Sequence, residues 1–485
     1  MKRPKQSQLG GRRVAIIGAG PAGLVSAKTM KERGFDVTIY ETGSVVGGTW
    51  VFDNDNGRNF IYRNLHINTS KKLTAFEDLP FDSTVQRIPD HRDMARYLQG
   101  YAAHFGLMPL TRFRCEVVKI TPREASEDRR WSVEAADGSV EAFDILIICS
   151  GPYTRPLHDP DIRDHFRGEY VHSADYRVPE AFTGKRVCII GAANSAVDVA
   201  SDICTTAAAV TLVARSPVFI MPHILNGREM FDVMDMFQKR FVPARIRKWA
   251  INTLVRAVHG DMAALGFKPA TGRIQPTISS TIVQDIMFER VAVRQGISGI
   301  KDRTIAFVDG SSAEFDTIVA ATGFIKEFPF LDAGLLHRDG PHLDLYKRIV
   351  APNHAGLYFV GMINIDTPIN HALEKQAKWI AAIESEQLPI PSPEEMSADI
   401  EAAGRWASQT FGGSPRHRLQ EDRVRYFSGL RAVLRRGRRK KLMHRIARTV
   451  GAMKRQDIGG GGHDRAGHPE SKAAAVLPGA RTTLD

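Results

Sequence analysis

Short uninterrupted apolar runs recur along the chain, each followed by a small-residue turn and then by apolar positions at helical spacing. An unbroken run suits a strand buried on both faces of a parallel sheet, and the helical spacing suits the helix that covers it. In RRVAIIGAGPAGLVSAKTMKERGFDVTIYE, the strand Val14–Ile17 leads into Gly18, Gly20 and Gly23. Leu24, Ala27, Met30 and Lys31 then carry a helix to a stop at Gly34, and Val37–Tyr40 form a second strand ending in Glu41. This predicts a βαβ start. A second unit begins at Lys185, with strand Val187–Ile190, turn Gly191–Ala196, helix Val197–Ile203 and strand Val210–Ala214 ending in Arg215. Each unit is echoed downstream by another buried run, Phe143–Ser150 (FDILIICS) and Phe315–Phe324 (FDTIVAATGF), preceded by Asp137-Gly138 and Asp309-Gly310 turns. The echo predicts two similar halves, each closed by a strand that returns the chain to its partner.

The turns carry the candidate chemistry. In G-x-G-x-x-G, one glycine permits the tight turn, one lets the backbone approach a pyrophosphate, and one allows close helix packing. Free N–H groups and the positive dipole end at the helix start then face the phosphates, which makes Gly18, Gly20, Pro21, Ala22 and Gly23 candidate cofactor contacts. Glu41 stands where a carboxylate accepts a ribose hydroxyl. In the second unit Ala193 and Ala196 replace the usual glycines, beside Gly191, Asn194 and Ser195. Arg215 occupies the position of Glu41, and an arginine there pairs with a 2′-phosphate. The first site is therefore expected to hold FAD or NAD, and the second NADPH.

Composition changes the picture in one respect. The chain has 485 residues and a formal net charge of +12, a balance that raises a nucleic-acid partner. Arg416–Arg455 alone holds fifteen Lys and Arg against Glu421 and Asp422, a local +13 that leaves −1 for everything else. The charge belongs to one segment and no nucleic acid is expected, because few aromatics accompany it. Leu430–Leu434, Leu442, Met443, Ile446 and Val450 give that segment an interrupted apolar face, suited to anionic lipid or to the protein's own body. No apolar run reaches a membrane span of roughly 18 residues, and no signal-peptide core precedes the first strand, so a soluble cytoplasmic protein is expected. Cys115, Cys149, Cys188 and Cys204 lack the spacing of a zinc site or redox pair and read as buried thiols.

Between the two turns, Phe166-Arg-Gly168-Glu-Tyr-Val-His172-Ser-Ala-Asp-Tyr176 matches F-x-G-x-x-x-H-x-x-x-Y, and on it the chain resembles the flavin-containing monooxygenases. Baeyer-Villiger monooxygenases carry a similar motif that usually ends in Trp followed by Pro or Asp, whereas here Tyr176-Arg177 ends it. The resemblance covers roughly residues 12 to 385. It implies that Gly48, Thr49 and Trp50 form a second FAD-contacting stretch, and that Asn68, beside Thr69, is the active-site asparagine. It further implies NADP contacts for His172 and Ser195, a role for Thr322 and Gly323 in an ATG stretch, and a C-terminal return to the flavin containing Gln376 and Trp379. The activity implied is NADPH- and oxygen-dependent oxygenation of a soft nitrogen or sulfur of a small molecule through a flavin hydroperoxide.

The expected architecture is α/β, with two Rossmann-like dinucleotide-binding domains and a helical basic C-terminal appendage. Residues 10–155 and 326–400 form a discontinuous FAD domain, into which the NADPH domain, 156–325, is inserted with its own helical insertion at about 218–274. A basic helical extension, 401–458, and a disordered tail, 459–485, follow. A homodimer and a peripheral contact of Arg416–Arg455 with anionic membrane stay open as partners. Baeyer-Villiger oxygenation of ketones is the alternative activity. A disulfide reductase is disfavoured, since no cysteine pair follows the first unit.

Overall fold

The apolar runs assemble into two five-stranded parallel sheets. In chain order the elements that place the site are β1 (Arg13–Ile17), α1 (Pro21–Glu32), β2 (Asp36–Tyr40), β3 (Thr111–Arg112) and β4 (Ile145–Ile148). Next come β5 (Glu169–His172), β6 (Arg186–Ile190), α2 (Asn194–Ile203), β7 (Ala209–Val213), α3 (Met230–Phe237), α4 (Ala244–His259), β8 (Val291–Arg294) and β9 (Thr317–Ala320). β10 (Leu357–Phe359), α5 (Ile369–Glu384) and α6 (Pro393–Phe411) complete the set. This computed structural model describes residues 11–58, 60–124, 127, 129–237, 244–269, 276–336, 343–411 and 419–435.

The first sheet runs β10-β4-β1-β2-β3 and the second β8-β7-β6-β9-β5, with every pairing parallel. In both, the first strand of the βαβ unit is central, with the second strand on one side and the echoed run on the other. Burial explains the placement: Ile145, Leu146, Ile147 and Ile148 in β4 are all 0% exposed, which a strand with a solvent face could not achieve. The Asp-Gly turns belong to two three-stranded antiparallel sheets, 117–143 and 297–314. In each, the aspartate carboxylate caps its own turn, accepting from Ser139 N–H or Ser311 N–H at 2.9 Å.

All strands of the second sheet lie between β4 and β10 in sequence. The chain's two crossings between the sheets pair with each other, Arg155–Pro156 antiparallel to Phe324–Ile325, and the Arg155–Glu327 ion pair (2.7 Å) flanks them.

Two expectations change. The 218–274 segment does not begin as helix: Ile220–Met221 pairs with Thr277–Ile278, and a hairpin of Ile224–Leu225 with Arg228–Glu229 precedes α3 and α4. Nor does an appendage begin at 401. Gln420–Glu421 pairs in parallel with Asn364–Ile365, and Tyr426, Phe427 and Leu430 are buried, so the compact unit extends to Val433. Residues 416–418 and 436–455 of the basic run, and the tail, 459–485, lie outside the described residues. No helix among the described residues is long and apolar enough to cross a membrane. The four cysteines are free; Cys149 and Cys188 are buried as expected, whereas Cys115 and Cys204 are only half-buried.

Candidate functional site

The first turn is built by close backbone approach. Gly18 has φ +107, and a Cβ there would lie 2.7 Å from Cys149 O at the end of β4. A Cβ on Gly23 would lie 1.8 Å from Gly18 O, so only glycine lets α1 start this close to the strand. α1 has Pro21 in its first turn, no acid there and no side-chain cap, which leaves its leading N–H groups for a ligand. Glu41, 5% exposed, accepts from Ala19 N–H (2.7 Å) and Gly43 N–H (2.9 Å), so its carboxylate is fixed beside the turn with lone pairs to spare. The Gly48–Trp50 turn stacks on the same place, because Gly47 N–H donates to Ala19 O (3.0 Å) and a Cβ on Gly48 would lie 3.0 Å from Gly20 Cα. Ser150 Oγ is buried beside the turn with no partner among the described residues.

The second turn repeats this plan with looser packing. Gly191 (φ +125) would place a Cβ 2.5 Å from Ala321 O, the counterpart of the Gly18–Cys149 contact. Gly191 N–H donates to Val213 O (3.0 Å) as Gly18 N–H donates to Tyr40 O (2.8 Å). Ala196, at the position of Gly23, is accommodated at 0% exposure, and Ala193 takes the N-cap position of α2. Ser195 is exposed in the first turn of α2, and Arg215 is exposed just beyond β7. Asn194 is held by its own contact, Oδ1 accepting from Ile278 N–H (2.9 Å).

His172 ends β5 beside Ala320 of β9. Its Nδ1 accepts from Ala174 N–H (3.0 Å), which leaves the hydrogen on Nε2. Nε2 is buried, and burial pushes the ring's pKa down to about 4 against the opposing pull of the nearby Gly323 carbonyl, so the residue is a neutral donor. Its ring lies 5.3 Å from that of Phe324. The Thr322 hydroxyl donates to Leu157 O, and Gly323 O accepts from Leu157 N–H (2.9 Å), so this stretch is tied to the outgoing crossing.

The other motif residues serve packing. Phe166 lies in the core with Phe307 and Ile318, a Cβ on Gly168 would meet the Phe166 ring at 2.5 Å, and the Tyr176 hydroxyl donates to Asp202 of α2. Tyr62 donates to Asp198 of the same helix, whose carboxyl burial pushes up to about 6. These contacts fasten the loop before Asn68 to the second half.

Asn68 itself sits half-buried in that loop. Its Oδ1 accepts from His223 Nε2 (3.1 Å), and Ser70 Oγ donates to Asp232 of α3 (2.8 Å). Thr69 Oγ1 meets Thr74 Oγ1 at 2.6 Å, closing the loop on itself. Sequence reasoning missed His223, Asp232 and Ser150, and no local signal marks them: His223 and Asn68 are 155 positions apart. Gln376 departs from its expected role. It is 0% exposed, with Oε1 accepting from Gly361 N–H (3.0 Å) and Nε2 donating to the Tyr426 hydroxyl (2.9 Å), so it braces the return of the chain.

Comparison with known proteins gives matches over the same span. The model of the family described as flavin-binding monooxygenase-like matches residues 11–443. The chain is 30% identical over 437 residues to flavin-containing monooxygenase 5 of Oryctolagus cuniculus, covering 86% of this chain and 81% of that protein. It is 28% identical to the N-oxide-forming dimethylaniline monooxygenase 2 of Mus musculus, covering 86% and 82%. The solved S-allyl-L-cysteine S-oxygenase from Allium sativum superposes with a TM-score of 0.66 at 27% identity, covering 87% of this chain and 88% of that one.

Proposed function

The chain belongs to the flavin-binding monooxygenase-like family, and from that premise we propose an FAD- and NADPH-dependent monooxygenase that oxygenates a soft nucleophilic nitrogen or sulfur of a small molecule. One observation carries the reading: two glycine turns of matching geometry, with Ser150 Oγ buried beside the first and without a partner among the described residues. Such orphaned groups are costly unless a ligand completes them. The residues therefore fit FAD at the first turn and NADPH at the second. The halves follow residues 10–155 with 326–433 and 156–325, the second inserted in the first.

Reduced flavin supplies the oxygen chemistry. The protein's part is to bind, orient and keep water out. In this reading the N-terminus of α1 and the turn from Gly18 to Gly23 hold a pyrophosphate, and Glu41 accepts a ribose hydroxyl. His172 Nε2–H donates to the nicotinamide nucleotide. Asn68 offers an amide N–H that stabilises an electron-rich oxygen without releasing a proton. His223 beside it carries no imidazolium proton to release near pH 7, since burial pushes its pKa down to about 4 and leaves the ring neutral.

NADPH oxidation in air is expected to be slow without substrate and to accelerate with tertiary amines or thioethers, giving one N- or S-oxide per NADPH. Ester formation from ketones without amine or sulfide oxygenation would replace this assignment with the Baeyer-Villiger one. Arg215→Ala should raise the KM for NADPH by about ten- to a hundredfold, the worth of charge-assisted hydrogen bonds to a phosphate, and leave NADH unchanged. Equal use of both nucleotides by the unmodified protein would remove Arg215 from the site.

A further inference from the structure

We infer that His223 is a positioning residue for the oxygenation step, turning the Asn68 side chain so that its N–H end, and not its oxygen, faces the reacting atoms. The inference rests on the role proposed above for Asn68. A primary amide has two ends of similar shape and opposite hydrogen-bonding sense, so an unfixed asparagine presents either. An oxygen turned toward an electron-rich oxygen repels it, and the N–H end attracts it.

The geometry supplies the missing constraint. Ser280 Oγ accepts from His223 N–H (3.0 Å), which leaves the serine hydroxyl hydrogen for His223 Nδ1 at 3.4 Å. With Nδ1 acting as acceptor, the ring hydrogen sits on Nε2 and is donated to Asn68 Oδ1 at 3.1 Å. The Asn68 oxygen is thereby engaged and its Nδ2 is the end left for the site. The backbone under the ring is fixed too, because Met230 N–H donates to His223 O (2.7 Å) at the base of the hairpin that follows His223. Ser70 and Asp232 hold the Asn68 loop to α3 at 2.8 Å, so both members of the pair are fastened to the same segment. Burial adds to this by keeping the ring neutral, so Nδ1 stays an acceptor.

The test uses the FAD-loaded full chain, with His223→Phe, His223→Gln, Asn68→Ala and the double variant His223→Phe with Asn68→Ala. The readouts are oxide formed per NADPH consumed with a thioether substrate, peroxide released, and the anaerobic rate of flavin reduction by NADPH. For His223→Phe the oxide yield should fall about tenfold, as for the loss of one oriented hydrogen bond, with peroxide rising and flavin reduction unchanged. The glutamine of His223→Gln, whose amide can also donate, should restore most of the yield, which a purely structural role would not require. In the double variant the loss should not exceed that of Asn68→Ala alone. If Asn68→Ala lowers the yield and His223→Phe does not, or if the two losses multiply, the positioning role is wrong and the proposed function stands. If neither variant changes the yield, the role of Asn68 falls as well.

Discussion

Gly23→Ala should yield a chain that folds but purifies without flavin. The methyl group would lie 1.8 Å from Gly18 O, and this neighbour is backbone, so relief requires moving the start of α1 away from β1. Overpacking of this kind costs about 3 kcal/mol or more, and the displaced helix end takes its N–H groups away from the phosphates they would bind. Because Gly18 O belongs to a residue with φ +107, packed so closely that even a Cβ on it would meet Cys149 O at 2.7 Å, the turn cannot yield on the other side either. The second turn provides the comparison: Ala196 already occupies the matching position, so Ala196→Gly should leave flavin content untouched. The ratio of visible flavin absorbance to protein absorbance after purification measures both. One flavin per chain in Gly23→Ala would show that α1 does not abut the first turn as described.

Glu421→Ala should lower stability by about 3–5 kcal/mol, the penalty for leaving a buried charge unpaired. Glu421 and Arg348 are each 4% exposed, with Arg348 Nε donating to Glu421 Oε1 at 3.0 Å. The second carboxylate oxygen accepts from Arg425 at 2.6 Å. Arg348 Nη2 already lacks a partner among the described residues, so removing Glu421 would leave a desolvated guanidinium. Denaturant midpoints of the FAD-saturated chain measure the loss, and an unchanged midpoint would mean that 419–433 contributes nothing to the folded unit. Tyr426 is joined to the same fold, its hydroxyl donating to Lys347 O (2.8 Å) while accepting from Gln376. A chain cut before Pro415 would therefore lose part of its core. Any truncation that asks what the basic run does must end after Val433.

Both turns were legible because their chemistry is local. Gly18, Gly20 and Gly23 lie within one turn of chain, and the conformations they permit follow from the absence of Cβ alone. The place of Glu41 was legible for a related reason, since a βαβ unit of ordinary length brings the end of its second strand beside its first turn, where Ala19 N–H meets the carboxylate. The basic run misled at its start. Its charges resemble a solvated arm when counted along the chain, yet Arg425 is engaged with Glu421 while Tyr426, Phe427 and Leu430 are buried.

The sequence by itself determined the two dinucleotide turns, the parallel strands around them and the family, because periodicity, glycine spacing and strand-end charge act over a few residues or one βαβ unit. Only the tertiary structure decided which end of Asn68 is engaged, that Gln376 braces Gly361 and Tyr426, and where the body ends. Those depend on hydrogen bonds between residues far apart in the chain, Asn68 with His223 and Arg348 with Glu421. A side chain's partner across such a distance is fixed by burial, which makes an unpaired polar group costly and so selects the packing that pairs it.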